Sequence, residues 1–79
     1  MEMYEEIMRE VKSGKIKGED LELAYSNFKK NLDAVDDEMT AFRRMSANFN
    51  SDVIDMLFRK KRQEVEALEE LVSTIRRQL

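Results

Sequence analysis

One acidic cluster has the spacing of a metal site. Asp33, Asp36 and Asp37 would share one surface of a helix, because residues three and four apart are neighbours there, and carboxylates are ligands for divalent cations. The heptad pattern described below turns these positions towards water. We therefore predict no metal centre and keep a divalent cation site at this cluster as an alternative.

Catalysis lacks its usual side chains. The 79 residues include no His and no Cys, so the five serines have no imidazole base and there is no thiol nucleophile. With only two Gly, the chain has no glycine-rich loop that could surround a phosphate group. We expect a protein that is not an enzyme and that holds no cofactor.

The charged residues are distributed unevenly along the chain. Fourteen Lys and Arg against 17 Asp and Glu give a net charge of −3, yet residues 41–62 contain six bases and only two acids. An antiparallel hairpin would bring these bases together near its tip as a basic band. Beside it would lie an acidic belt that consists of Asp33, Asp36, Asp37, Glu38, Glu64, Glu66, Glu69 and Glu70. With the addition of Met56, expected on the outer side of its helix, the candidate partner-binding tip consists of Arg43, Arg44, Met56, Arg59, Lys60 and Arg62.

Three interpretations of this basic tip are open. Charged runs on helices are commonly solvated faces, and Arg43 and Arg44 would also offset the dipole at the end of their helix. An acidic protein partner is the second interpretation, and nucleic-acid phosphates are the third. Phosphate binding is less favoured than protein binding, since Lys61 occupies a seam position and no aromatic residue is interleaved with the bases to stack on nucleotides.

The elements that position these residues are helices. Apolar residues recur at alternating spacings of four and three in two segments without Pro, which is typical of helices that pack along a heptad seam. We predict an all-α fold in one domain, residues 1–79, with a short helix at about 2–13 and long helices at about 20–48 and 52–79. The predicted seam consists of Tyr25, Phe28, Leu32, Val35, Met39, Phe42, Phe49, Ile54, Phe58, Val65, Leu68, Val72 and Ile75.

The long helices are expected to fold back on each other as an antiparallel hairpin. Asn50 lies in the joint between them, and Ser51 can cap the second helix. Pairing the two seams places Phe42 opposite Lys61. It leaves Leu21 without a partner at the far end of the hairpin, where we expect the short helix to cover it.

A second copy of the chain is expected to complete the core, because chains of this size rarely stabilise themselves on one thin seam. Flanking apolar residues such as Leu57 and Leu71 widen the stripe, which suits a four-helix arrangement. We predict a homodimer, a four-helix bundle with coiled-coil-like packing, in which each basic band lies against the other chain's acidic belt. The predicted function is that of an adaptor or regulatory protein acting through protein contacts, with a small nucleic-acid-associated protein as the alternative.

The pattern also bears on compartment. The first residues carry several acids, whereas a secretory signal has bases followed by an apolar segment. No apolar stretch approaches the roughly 20 residues that cross a bilayer. We expect a cytoplasmic protein whose partners are a second copy of itself and an unidentified protein, with no membrane partner.

One stretch resembles a known family. The segment YEEIMREVKSGKI at residues 4–16, followed by Glu19, Asp20 and Tyr25, resembles the first helix and turn of exonuclease VII small subunits. The resemblance implies a helical hairpin that serves a nuclease as a non-catalytic partner. It covers residues 4–25 only and does not identify the chain as a member. Gly18 and Phe28 depart from the family's usual residues, and the basic run at 59–62 has no counterpart there.

Overall fold

Three helices make up the computed structural model, which describes residues 2–49 and 51–79. They are α1 (Glu2–Lys12), α2 (Glu19–Ser46) and α3 (Asp52–Gln78). No strand occurs in the described residues, so the prediction of an all-α fold is confirmed. Each helix begins and ends within two residues of its predicted bounds. Asn50, which we placed in the joint of the hairpin, lies outside the described residues.

Local signals at the helix ends account for these bounds. The Ser51 side chain accepts a hydrogen bond of 3.2 Å from the backbone N–H of Val53, which satisfies one of the free donors at the start of α3. Asp52 and Asp55 lie in the first turn of α3, where their negative charges interact favourably with the positive end of the helix dipole. Before α2, Gly18 has a φ of 62°, a backbone conformation that residues with a Cβ rarely adopt.

α2 and α3 pack as the predicted hairpin, and α1 lies mainly against α3 at the open end. α1 also contacts α2 through the rings of Tyr4 and Phe28. These rings pack edge to face, with their centroids 6.2 Å apart. The particle is therefore long and thin, 47 × 20 × 15 Å. Its core is one cluster of buried apolar residues: Tyr4, Val11, Leu21, Leu32, Val65, Leu68, Leu71, Val72 and Ile75.

The predicted seam is only partly a core. Five of its members are buried within one chain, and the others except Phe49 are half-buried. Phe49 is 66 % exposed and does not belong to the seam of one hairpin, because α2 already ends at Ser46 and the chain has begun to turn. Leu71, which we placed beside the seam, is completely buried in the cluster that includes residues of α1.

The pairing of the long helices differs from the prediction by about one turn. The ring of Phe42 packs against that of Phe58, with centroids 5.4 Å apart, and Lys61 reaches Glu38. α2 ends at Ser46 and α3 begins at Asp52, so residues of the two helices that are equally distant from these ends come level with each other. Our pairing had centred the turn too far along the chain. Leu21 is nevertheless not left open at the far end, since it is buried in the same core cluster as Val11 of α1.

No helix among the described residues combines the length and the apolar character needed to cross a membrane.

Candidate interaction surfaces at the hairpin tip

The tip of the hairpin, residues 36–49 and 51–64, lacks the core that the other end has. No described side chain between 33 and 64 is buried. Five of the large apolar side chains that are exposed to solvent belong to the tip: Met45, Phe49, Val53, Met56 and Leu57. The tip is therefore a two-helix structure with much of its apolar surface in contact with water.

An apolar groove of about 390 Å³ runs along one side of the tip between α2 and α3. Its apolar lining consists of four side chains: Met39, Phe42, Leu57 and Phe58. Charged side chains form its edges, with Glu38 on α2 and Lys60, Lys61 and Glu64 on α3. We refer to this surface as the apolar groove.

The apolar groove repeats a surface that α1 covers at the other end of the hairpin. Leu57 lies two heptads before Leu71, and Phe42 lies two heptads after Phe28, so each pair has the same position in the helical repeat. Leu71 has 0 % exposure and Phe28 packs against Tyr4 of α1, whereas Leu57 is 44 % exposed. The apolar groove thus repeats, roughly 21 Å along the hairpin, the surface that α1 covers at the other end.

Lys61 joins the two helices at the edge of the groove. Its ammonium donates a hydrogen bond of 3.1 Å to Glu38 across the hairpin and lies 3.7 Å from Glu64 on its own helix. The hydrogen bond to Glu38 raises the pKa of Lys61 above its ordinary value of 10.5, and the charge of Glu64 acts in the same direction, although desolvation opposes both. The positive charge of Lys61 is therefore paired with carboxylates of its own chain.

Three arginines surround Phe58 on the other side of the tip. The guanidinium carbon of Arg43 lies 5.2 Å from the centre of the Phe58 ring, a cation–π contact. Arg59 and Arg62 border a shallow depression of about 260 Å³ together with Phe58 and Asp55. We call Arg43, Arg59 and Arg62 the arginine face.

The structure divides the six residues of the predicted partner-binding tip into separate surfaces. Arg43, Arg59 and Arg62 are brought together, whereas Lys60 lies at the edge of the apolar groove. Arg44 and Met56 are exposed and line neither surface. The lining of the groove was not recognised as a site from the sequence, because the equivalence of Leu57 and Leu71 becomes informative only when the side of the hairpin that α1 covers is known.

The alternative metal site has no support from the geometry. Asp33 is exposed and accepts a hydrogen bond of 3.2 Å from Lys29 one turn earlier, as part of an ion pair. Over residues 2–49 and 51–79, no three acidic side chains are grouped as metal ligands would be.

Comparison of the chain with protein-family models, curated proteins and solved structures finds no match in any of the three. The likeness of residues 4–25 to exonuclease VII small subunits is thus not supported by a matching family model. The case for a function depends on the two surfaces of the tip.

Proposed function

We propose that the chain is a non-enzymatic cytoplasmic adaptor that acts as a homodimer, in which two hairpin tips pack groove to groove into a four-helix bundle. The observation that carries the proposal is the repeat described above. The tip presents the same heptad positions that α1 covers at the base, and within one chain nothing in the described residues covers them.

The exposed apolar surface lies where such a dimer needs it. Met45 follows Phe42 by three residues and Val53 precedes Leu57 by four, so both extend the apolar side of the tip. A stable interface takes about 800 Å² from each partner, roughly an eighth of the chain's 6086 Å² of surface. Burial of this size is compatible with covering one side of the tip.

The charges at the groove favour an antiparallel partner. Lys60 and Glu64 stand one turn apart along α3 at the edge of the groove. A two-fold axis near residue 40 would bring the two groove edges together, so that the bases at each edge lie near the acids at the other while the arginine faces stay outside the interface. α1 limits how far the two chains can overlap, because Tyr4 already packs against Phe28. The tip of the partner can therefore reach along this chain only to about residue 30.

The mass of the protein in solution tests this proposal. We expect sedimentation equilibrium to give the mass of two chains, Leu57→Glu to give one, and Met56→Glu to retain two. Met56 and Leu57 are adjacent and similarly exposed, at 49 % and 44 %, but only Leu57 lines the groove. A single-chain mass for the unaltered protein at high micromolar concentration would contradict the proposal, as would loss of the dimer in both variants.

The alternative function, contact with nucleic-acid phosphates, draws on the three unpaired bases of the arginine face. None of the three forms an ion pair in the described part of the chain. Retention on DNA or RNA that falls steeply with salt and disappears in the triple variant Arg59→Glu, Lys60→Glu, Arg62→Glu would favour this function. Absence of retention at low salt would eliminate it.

A further inference from the structure

The three arginines of the arginine face lie around a surface that includes the ring of Phe58. Arg43 stacks over Phe58 from α2, while Arg59 and Arg62 stand one turn apart on α3 and flank the depression that Phe58 lines. Planar guanidinium groups bind carboxylates with two parallel hydrogen bonds, a geometry that Lys cannot reproduce. The ring of Phe58 supplies an apolar floor between them.

The three bases of this face outnumber the one acid, Asp55, that borders the same depression. Lys61, on the other side of the tip, has carboxylates within 3.1 and 3.7 Å, whereas the three arginines have no ion pair among the described residues. Like charges that lie close together repel each other, so a ligand with carboxylates gains both new pairs and relief of this repulsion. We infer that the arginine face binds an acidic protein segment, with carboxylates on the arginines and an apolar side chain against Phe58.

The surroundings of the face favour a short acidic peptide over a nucleic acid. Asp55 borders the depression, and Glu66 and Glu69 continue the same side of α3 beyond Arg62 at helical spacing. A phosphate chain that ran along the hairpin would therefore meet acids after one or two contacts, whereas a peptide whose carboxylates are confined to one or two helical turns would not. Lys60 does not extend the basic strip, because it stands at the edge of the apolar groove on the other side.

The position of the arginine face determines how many acidic segments one adaptor can bind, and this step rests on the proposed dimer. The apolar groove and the arginine face lie on opposite sides of the tip, with Phe58 between them as a member of both linings. When two grooves pack together, both arginine faces point away from the interface. A dimer would then hold two acidic segments at once, whereas binding of one segment needs only one chain.

Fluorescence anisotropy with defined probes tests the inference. The probe is a labelled Ala-based helical peptide of roughly 18 residues with Glu at spacings of three and four around one Leu, and its partner carries Gln in place of Glu. We expect the Glu peptide to bind at low ionic strength, the Gln peptide not to bind, and Arg59→Glu with Arg62→Glu to weaken binding about tenfold or more.

A charge-matched control separates the face from net charge. Lys17→Glu with Lys30→Glu makes the same change in net charge at exposed positions outside the tip, and we expect it to alter the affinity less than twofold. Three results would overturn the inference: no binding of the Glu peptide, an equal loss in the control, or tighter binding of an oligothymidylate of about 20 nucleotides than of the peptide.

The two proposals fail separately. If sedimentation gives a single chain but the Glu peptide still requires Arg59 and Arg62, the proposal of a dimer is wrong. The arginine face then still binds an acidic segment, but only one for each particle. If Arg59→Glu with Arg62→Glu leaves the dimer intact and the Glu peptide bound, the dimer stands and the inference about the face is wrong.

Discussion

The base and the tip of this hairpin use the same helical repeat with opposite results. At the base, Leu71 is completely buried and Phe28 packs on Tyr4, because α1 covers the groove between the long helices. At the tip, Leu57 and Phe42 occupy the equivalent positions and remain partly in water. The comparison shows that two helices make a seam but that a third is needed here to make a core, and it is the reason for proposing the tip as the dimer surface.

Truncating the equivalent leucines gives the largest expected contrast between the two regions. Leu71→Ala removes a fully buried side chain and leaves a cavity, so we expect it to lower the free energy of unfolding by about 2–5 kcal/mol. Leu57→Ala should cost less than half as much, because Leu57 keeps part of its contact with water. Urea unfolding followed by circular dichroism measures both values.

Equal losses from the two leucine substitutions would break the comparison between base and tip. A loss for Leu57→Ala that grows with protein concentration would instead sharpen it, since a partner that covers the groove stabilises the folded state by mass action.

The sequence predicted the helices well, because a heptad pattern without Pro leaves few alternatives to long helices. The pairing of Phe42 could not be predicted, since it depends on the residue at which α2 ends, and a one-turn error there moves every layer. The burial of Leu71 could not be predicted either. It depends on which side of the hairpin the short helix α1 covers, and the heptad repeat of the long helices does not indicate that side.

The separation of the bases into two surfaces has the same origin. Arg59 and Lys60 are neighbours in sequence, yet a step of about 100° around a helix directs one to the arginine face and the other to the apolar groove. The charges of the sequence segments indicate the tip, but they do not show that its bases lie on two different surfaces. The cross-helix contact of Lys61 with Glu38 becomes predictable only when the register is known.

Removal of the cap at the start of α3 is expected to have an intermediate effect. Ser51→Ala leaves the N–H of Val53 without its side-chain acceptor, which should lower the free energy of unfolding by about 1 kcal/mol. Ser73→Ala is the matched control, since Ser73 is exposed within α3 and the change should stabilise the helix slightly.

This cap variant also tests how far the tip depends on its own connection. Amide hydrogen exchange should increase at 52–58 and stay unchanged at 65–75, where the cluster shared with α1 holds the helices together. An equal increase in exchange at the base would show that the hairpin opens as one unit, contrary to the contrast between its two ends.

The smallest expected effect concerns Lys61, which links the helices at the tip. Lys61→Gln removes the contacts with Glu38 and Glu64, and since the Lys61 side chain is 42 % exposed we expect a loss below about 1 kcal/mol at neutral pH. The pKa of Lys61 is raised in the folded state, so its contribution is complete below its ordinary pKa of 10.5 and disappears as the pH rises through the folded value. Unfolding curves of both proteins at pH 7 and pH 11 should therefore converge at the higher pH.

Lys60→Gln provides the control for the loss of one positive charge at the groove. Lys60 stands at the edge of the same groove but has no ion pair among the described residues, so its replacement should lower the free energy of unfolding at pH 7 less than Lys61→Gln does. A difference for Lys61→Gln that widens towards pH 11 would have the wrong sign for a raised pKa. It would mean that the two carboxylates do not hold the ammonium in solution, and that the ion pair between Lys61 and Glu38 does not stabilise the tip.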